Sequence, residues 1–230
     1  MSEPKTVATH VEEIEDVDVV YWHIADDRIG GFVSTAYGLR TDDGLVLIDP
    51  LPLEAPALER LGEIQAIVLT SGSHQRSAWR YRSELEVPVW APALAQEIDE
   101  EPDERYGHGA VLPGDLFAFF TPGAGTTQHT LILDDYLAFV PDLVVRPPDG
   151  DLMLTPDEYM HDPGRARESV QLLAEQAIEI LCPAHGLPLV DGVHDALLAA
   201  LERSGEYDDP DYVEVTEDDA DAADAEEPED

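Results

Sequence analysis

The chain has 230 residues and a formal net charge of −39 at pH 7, from 51 acidic and 12 basic residues. Self-repulsion of this size opposes compaction in dilute buffer, whereas molar salt shortens the Debye length to about 3 Å and screens the charges. We therefore predict a protein of a halophilic cytoplasm. A surface this acidic argues against sequence-independent binding to nucleic acid or to an anionic membrane, because both partners require basic patches.

Other features of the composition indicate a soluble intracellular protein. Cys182 is the single cysteine, so we expect a small core residue, with neither an intrachain disulfide nor a cysteine-based zinc motif. The first residues lack the pattern of a signal peptide, which is a cationic end followed by an apolar core. No apolar run approaches the roughly 20 residues of a membrane span. We predict a polar lead-in over 1–16, one folded domain over 17–205 and a disordered acidic tail over 206–230.

Apolar periodicity predicts a chain in which antiparallel meanders alternate with β-α units. In the first half, the predicted elements are strands over 17–24, 29–39 and 45–48, a helix over 53–61, a strand over 64–69, a helix over 75–84, a strand over 87–90 and a helix over 91–100. In the second half, they are a loop over 101–114, strands over 116–121, 130–133 and 136–140, an irregular segment over 141–163, a helix over 164–175, a strand over 177–181 and a helix over 193–203.

This order suits two sheets packed face to face with helices outside them. The predicted fold class is therefore α/β, as a four-layer αββα sandwich of two mixed β-sheets flanked by helices.

The order of elements and the sequences of four loops resemble the metallo-β-lactamase fold superfamily over roughly 17–203. The family signature T-H-x-H-x-D-H, which follows an apolar strand, falls on residues 70–76. The later signatures T-P-G-H-T-x-G, G-D and P-G-H-G fall on residues 121–127, 141–142 and 183–186, and residues 48–50 match the I-D-x-G strand end apart from Pro50. The resemblance implies a hydrolase with a dinuclear metal site.

Five of the seven ligand positions of that site carry other residues. The replacements are Ser71 and Ser73 for paired histidines, Gln75 for an aspartate, and Arg76 and Ala124 for two further histidines, while Asp142 and His185 keep the family ligands. A catalytic zinc needs about three protein ligands and a water, and two ligands cannot supply this. The permanent charge of Arg76 would also repel a cation.

We therefore predict a dismantled metal site without a cofactor, in a ligand-binding or regulatory pseudo-hydrolase. Residues 71–73 precede a predicted helix with Arg76 in its first turn, an arrangement that suits a small anionic ligand or closes a tight turn. An ion pair between Arg76 and Asp142 is expected to fill the former metal site. The candidate pocket residues are Ser71, Ser73, His74, Gln75, Arg76 and Ala124.

Two alternatives stay open. The first is a divergent hydrolase of esters, thioesters or phosphoesters that uses one zinc or other divalent ion at Asp142 and His185 with an unrecognised third ligand; His74 lies one residue from two ligand positions. The second is a protein-interaction module that uses the acidic tail. A serine-hydrolase pair of Ser73 and His74 is disfavoured, because adjacent residues rarely place a hydroxyl and its base correctly. His129 is predicted to be structural.

Overall fold

The computed structural model of the chain describes residues 4–25, 32–95, 98–148 and 150–203. The predicted acidic tail lies outside these ranges, and the domain limits remain predictions. Part of the predicted lead-in packs on the domain: Ala8 and Ile14 are buried, and strand β1 (Glu12–Glu13) pairs with β2 (Val19–Ala25). Within the described ranges, no helix combines the length and apolar character needed to cross a membrane.

The first half of the domain is a mixed sheet with two helices. Its further elements are β3 (Val33–Thr41), β4 (Gly44–Ile48), α1 (Ala55–Arg60), β5 (Ile64–Val68), α2 (Ala78–Leu85), β6 (Val89–Pro92) and β7 (Glu104–Tyr106). The strands β2, β3 and β4 form an antiparallel meander, and β4, β5, β6 and β7 pair in parallel. Parallel pairing of β4 with β5 and of β5 with β6 brings their carboxyl ends to one edge.

The second half is also a mixed sheet with two helices, but most of its strand pairs are antiparallel. Its elements are β8 (Val111–Leu112), β9 (Leu116–Phe120), β10 (His129–Leu133), β11 (Leu137–Arg146), β12 (Met153–Leu154), α3 (Pro163–Ala174), β13 (Ile180–Gly186) and α4 (Val193–Arg203). Strands β8 to β11 are antiparallel, and β13 lies parallel to β11. The side chain of Asp162 caps α3 by accepting from the Arg165 amide at 3.0 Å.

Three apolar clusters define the layers of the fold. One packs α1 and α2 against the first half through residues such as Ala57 and Tyr81, and another packs α3 and α4 against the second half through Val170 and Leu197. A third joins the two halves and includes Phe139. The predicted α/β class with two packed β layers and outer helices is confirmed, although a single ladder pair, Ser34 with His185, joins β3 to β13 and makes the strands one curled sheet.

Several predicted boundaries are wrong. The helix predicted over 91–100 is absent from its described residues, which continue β6 and then turn, and the loop predicted over 101–114 contains β7 and β8. Strand β11 runs through Pro141, and β13 runs through Pro183. Pro183 belongs to the last pair before the β11–β13 register shifts, Val140 with Pro183, and Pro141 follows that pair on β11. A ladder tolerates a residue without an amide proton at such an irregularity.

The helix expected from residue 75 also begins later than predicted. A single 3-10 turn spans Gly72–His74, and Arg76 then adopts a left-handed backbone conformation with φ 41°. Because a helix cannot continue through that conformation, α2 starts at Ala78.

We predict that Gly186→Ala lowers the free energy of unfolding by about 3 kcal/mol, measured by denaturant titration in concentrated KCl. Gly186 has φ 118°, and an added Cβ would overlap the main chain of Arg146 on β11. Gly62→Ala is the matched control, since Gly62 has φ 89° with no atom within 4 Å of an added Cβ, and should cost about 1 kcal/mol. Equal losses in the two variants would contradict the close approach of β11 and β13.

Candidate functional site

The candidate site lies where β4 and β5 end and where β11 and β13 run side by side. Asp49 follows β4, His74 closes the 3-10 turn after β5, Asp142 lies on β11 and His185 lies on β13. The fold thus brings together residues from four segments that are far apart in the chain, at the strand edge where α/β proteins place their sites.

The Asp142 carboxylate is the centre of the site. Its Oδ1 lies 2.9 Å from His185 Nε2 and 3.0 Å from His74 Nε2, and its Oδ2 accepts a long hydrogen bond of 3.5 Å from the Ser73 hydroxyl. The Thr155 hydroxyl donates to its main-chain oxygen at 2.6 Å. The side chain of Asp142 is 27% exposed, whereas that of His74 is 6% exposed, so the site opens to solvent on the Asp142 side.

Asp49 fixes the opposite side of the His74 ring. Its Oδ2 lies 2.9 Å from His74 Nδ1 and also accepts from the Thr70 hydroxyl at 2.5 Å. Its Oδ1 accepts from the Thr70 amide at 2.8 Å. His74 is therefore held between two carboxylates, and Asp49 is itself held by Thr70, the family threonine.

His185 is fixed by the strand that pairs with it. Its Nδ1 lies 3.4 Å from the Ser34 hydroxyl on β3, and its ring meets that of His74 edge to face, with centroids 5.7 Å apart. The Tyr37 hydroxyl donates to the Pro183 carbonyl at 2.7 Å and the Thr35 hydroxyl to the Gly186 carbonyl at 2.5 Å. These bonds hold β13 against β3 on both sides of His185.

The charges of the site shift its pKa values in opposite directions. Burial opposes the positive charge of His74, but the Asp142 and Asp49 carboxylates outweigh burial and Arg76 and raise its pKa to about 9. Burial lowers the pKa of His185, and hydrogen bonding to Asp142 only partly offsets this. Burial opposes the charge of Asp142 as well, but the two imidazoles hold its pKa well below its usual value.

Comparison with known proteins identifies the fold. No protein-family profile matches the chain, and no curated protein matches it in sequence. Among solved structures, a metallo-β-lactamase from Pontibacter korlensis is 19% identical, with a TM-score of 0.65 over 84% of this chain and 98% of that chain. The chain has the metallo-β-lactamase fold.

Two further structures show the breadth of the likeness. The metallo-β-lactamase FIM-1 from Pseudomonas aeruginosa in a mono-zinc form is 16% identical, with a TM-score of 0.63 over 89% of this chain and 100% of that chain. A flavoprotein from Thermotoga maritima is 16% identical, with a TM-score of 0.66 over 84% of this chain and 61% of that chain. Because neighbours with different names share the metallo-β-lactamase fold, the fold alone does not specify an activity.

The structure distributes the predicted site residues unequally. Ser73, His74, Asp142 and His185 are in direct contact, and Ser71 joins them through a hydroxyl pair of 2.8 Å with Ser73.

Two other candidates take part in different contacts. Gln75 accepts from Trp79 Nε1 at 2.7 Å and from the Asp99 amide at 2.6 Å, which ties α2 to a neighbouring segment. Ala124 packs against the apolar cluster of α3 and α4.

The predicted ion pair between Arg76 and Asp142 is wrong. The two histidines and Ser73 are the partners of the Asp142 carboxylate, whereas Arg76 donates to main-chain carbonyls. Carbonyl oxygens can satisfy a guanidinium in a fixed fork geometry, so its charge need not be paired with Asp142.

The donor set at Asp142 fits one divalent transition-metal ion. Within the described ranges, His74, Asp142 and His185 form a group whose ligand atoms lie within 4.8 Å of one another. Two imidazoles and one carboxylate are a common set of protein ligands for catalytic zinc and non-haem iron. Asp49 and Ser34 orient the outer nitrogens of the imidazoles, as second partners of metal-bound histidines do.

His74 is the possible third metal ligand that the signature alignment did not assign. The signature alignment places His74 between two ligand positions, and His74 at the end of the 3-10 turn brings its Nε2 to 3.0 Å from Asp142 Oδ1. One signal was available in the sequence: His74 follows Thr70 by four residues, close enough to share the Asp49 carboxylate with it.

His129 lies outside this group and packs as a core residue, in agreement with the prediction. Its ring contacts Tyr106 and Phe120, with centroids 5.2 Å and 5.1 Å away, and its Nδ1 lies 3.0 Å from the Thr127 carbonyl. Burial lowers the pKa of His129 to about 4.

We predict that His129→Phe flattens the acid limb of the stability curve. Between pH 6.5 and 4 the unfolded chain binds a proton at His129 that the folded protein does not bind, so the free energy of unfolding falls as pH falls. The contribution is at most about 3 kcal/mol and is absent above pH 6.5. Denaturant titrations at several pH values measure the slope, and the exposed His161→Gln serves as control. A slope in His129→Phe equal to that of the unaltered protein would refute the assignment.

Proposed function

We propose that this protein is a hydrolase of the metallo-β-lactamase fold that works with one divalent metal ion held by His74, Asp142 and His185. The observation that carries the proposal is the approach of both Nε2 atoms to the same oxygen of Asp142. This approach supports His74 as the third ligand that the sequence signatures lacked, in a mononuclear rather than a dinuclear site. A neighbour of this fold, FIM-1, has been crystallised in a mono-zinc form.

The residues of the site have separate roles in this proposal. Asp49 keeps a proton on His74 Nδ1 and thereby leaves the lone pair of Nε2 for the metal. Ser73 holds Oδ2 of Asp142, so Oδ1 is the ligand atom. A divalent ion bound there would polarise a carbonyl or phosphoryl oxygen and lower the pKa of a bound water.

The substrate class proposed is an ester, thioester or phosphoester. Asp142 and Ser73 lie on the partly open side of the site and would contact the substrate first. The acidic composition supports activity in a salt-rich cytoplasm, where counterions screen the repulsion between the protein and an anionic substrate.

Metal analysis tests the proposal. Full-length protein dialysed against Zn²⁺ in concentrated KCl should retain about one equivalent, and His74→Ala and His185→Ala should each retain much less than one, because two ligands hold a zinc ion poorly. His161→Ala, at an exposed histidine outside the site, should match the unaltered protein. Hydrolysis of model esters should cease with a chelator and return with Zn²⁺. Absence of stoichiometric metal in the unaltered protein would end the proposal.

Asp49→Asn should weaken Zn²⁺ binding by about 10–100-fold without abolishing it, since Asp49 orients a ligand but does not supply one. Competition with a chromophoric chelator measures the change in affinity. Asp162→Asn is the matched control, because Asp162 caps α3 away from the site. An affinity unchanged in Asp49→Asn would show that the Asp49–His74 contact does not support binding.

A second candidate is a metal-free ligand-binding protein, which one observation favours. Because the pKa of His74 is raised to about 9, a proton can occupy Nε2 at neutral pH and satisfy both flanking carboxylates. In this form a small anionic ligand would bind near Ser71, Ser73 and Arg76. Nuclear magnetic resonance of the His74 ring distinguishes the two candidates: two ring protons that persist in excess Zn²⁺ support the metal-free protein.

A further inference from the structure

Arg76 bonds to the main chain of three separate segments. One guanidinium nitrogen donates to the Thr35 carbonyl at 2.7 Å and to the Asp49 carbonyl at 2.9 Å, and the other donates to the Ala184 carbonyl at 3.3 Å. These carbonyls belong to β3, to the residue after β4, and to β13. One side chain therefore connects both halves of the sheet.

Each of these carbonyls belongs to a residue that contacts one of the two site histidines or is next in the chain to a residue that does so or to the histidine itself. Thr35 follows Ser34, whose hydroxyl contacts His185, and Ala184 precedes His185 in the chain. Asp49 itself holds His74 through its carboxylate. Arg76 thus contacts the backbones that carry the outer partners of both imidazoles.

Side-chain bonds hold these segments in register. Among the described residues, strands β3 and β13 share one ladder pair, Ser34 with His185, and the hydroxyls of Thr35 and Tyr37 supplement the bonds of Arg76 between the two strands. Both Arg76 and Asp49 have left-handed backbone conformations, with φ 41° and 46°. Such conformations are sterically disfavoured for residues other than glycine, so the surrounding bonds must hold them in place.

We propose that Arg76 is a positioning residue that sets the separation of His74 and His185 by fixing β3, β13 and the segment after β4 together. The proposal rests on the function proposed above, because the separation of these imidazoles determines whether one metal ion can bind both. In the sequence, Arg76 stands at a metal-ligand position of the family signature. Its guanidinium joins strands by hydrogen bonds where the family residue would join them through a metal.

The shape of the side chain matters for this role. A guanidinium is a planar fork with five donors, whereas a lysine ammonium is a compact charge with three. Lysine would keep the positive charge near His74 and His185 but could not reach all three carbonyls with the same geometry. The two effects of Arg76, charge and geometry, can therefore be separated by substitution.

The test uses full-length protein in concentrated KCl with Zn²⁺ and Co²⁺ as probes. Arg76→Met should weaken Zn²⁺ binding about 10–100-fold and change the visible absorption of bound Co²⁺, which reports coordination geometry. Arg76→Lys should shift both in the same direction by a smaller amount. Arg165→Met removes an equal charge from an exposed position on α3 and should behave as the unaltered protein.

A purely structural arginine would give a different result. It would lower the free energy of unfolding while the folded fraction kept its Zn²⁺ affinity and Co²⁺ spectrum, and that outcome would overturn the proposal. If Arg76→Met does not fold, Arg76→Lys decides the question on the same two measurements.

Failure of the metal proposal is distinguishable from failure of this one. If the unaltered protein binds neither ion, ring-nitrogen resonances of His74 and His185 replace the metal readout, with His194 on α4 as an internal reference. Altered resonances at both site histidines in Arg76→Lys, which keeps the positive charge, with His194 unchanged, support positioning without metal. Unchanged resonances at both overturn it.

Discussion

The site depends on the contacts that the Asp142 carboxylate makes with two imidazoles. Its Oδ1 receives both imidazoles, and each imidazole is attached to a different half of the curled sheet. A partly buried carboxylate without such partners would carry a desolvation cost, so the histidines stabilise the charge of the aspartate. A metal ion and a proton both satisfy this requirement, which is why the same geometry supports two candidate functions.

The requirement extends outward to the main chain. Asp49 and Ser34 fix the outer nitrogens, Thr70 fixes Asp49, and Arg76 joins the strands that carry them. Apolar layers alone would bring the two halves together without setting the separation of the histidines. The polar bonds set that separation, because each has a short and directional optimum.

The sequence predicted the fold better than the site. Apolar alternation determines which face of a strand is buried, so the layers and most strands followed from it, and α4 matches its predicted limits. The strand extensions through Pro141 and Pro183 could not be predicted, because a shift in the partner's register removes the need for their missing amide protons. A signature alignment compares positions in the chain, whereas metal binding depends on where each side chain points. His74 reaches Asp142 from the 3-10 turn Gly72–His74, and nothing in the residue types alone specifies that turn.

Salt affects the surface and the site differently. Exposed pairs such as Arg40 with Glu13 weaken in molar salt, because the Debye length falls to about 3 Å, close to the 3.1 Å that separates their atoms. The contacts of His74 are buried and the carbonyl bonds of Arg76 are partly buried, so ions screen them less. Molar salt therefore reduces the repulsion among the 51 acidic residues more strongly than it weakens the hydrogen bonds of the site.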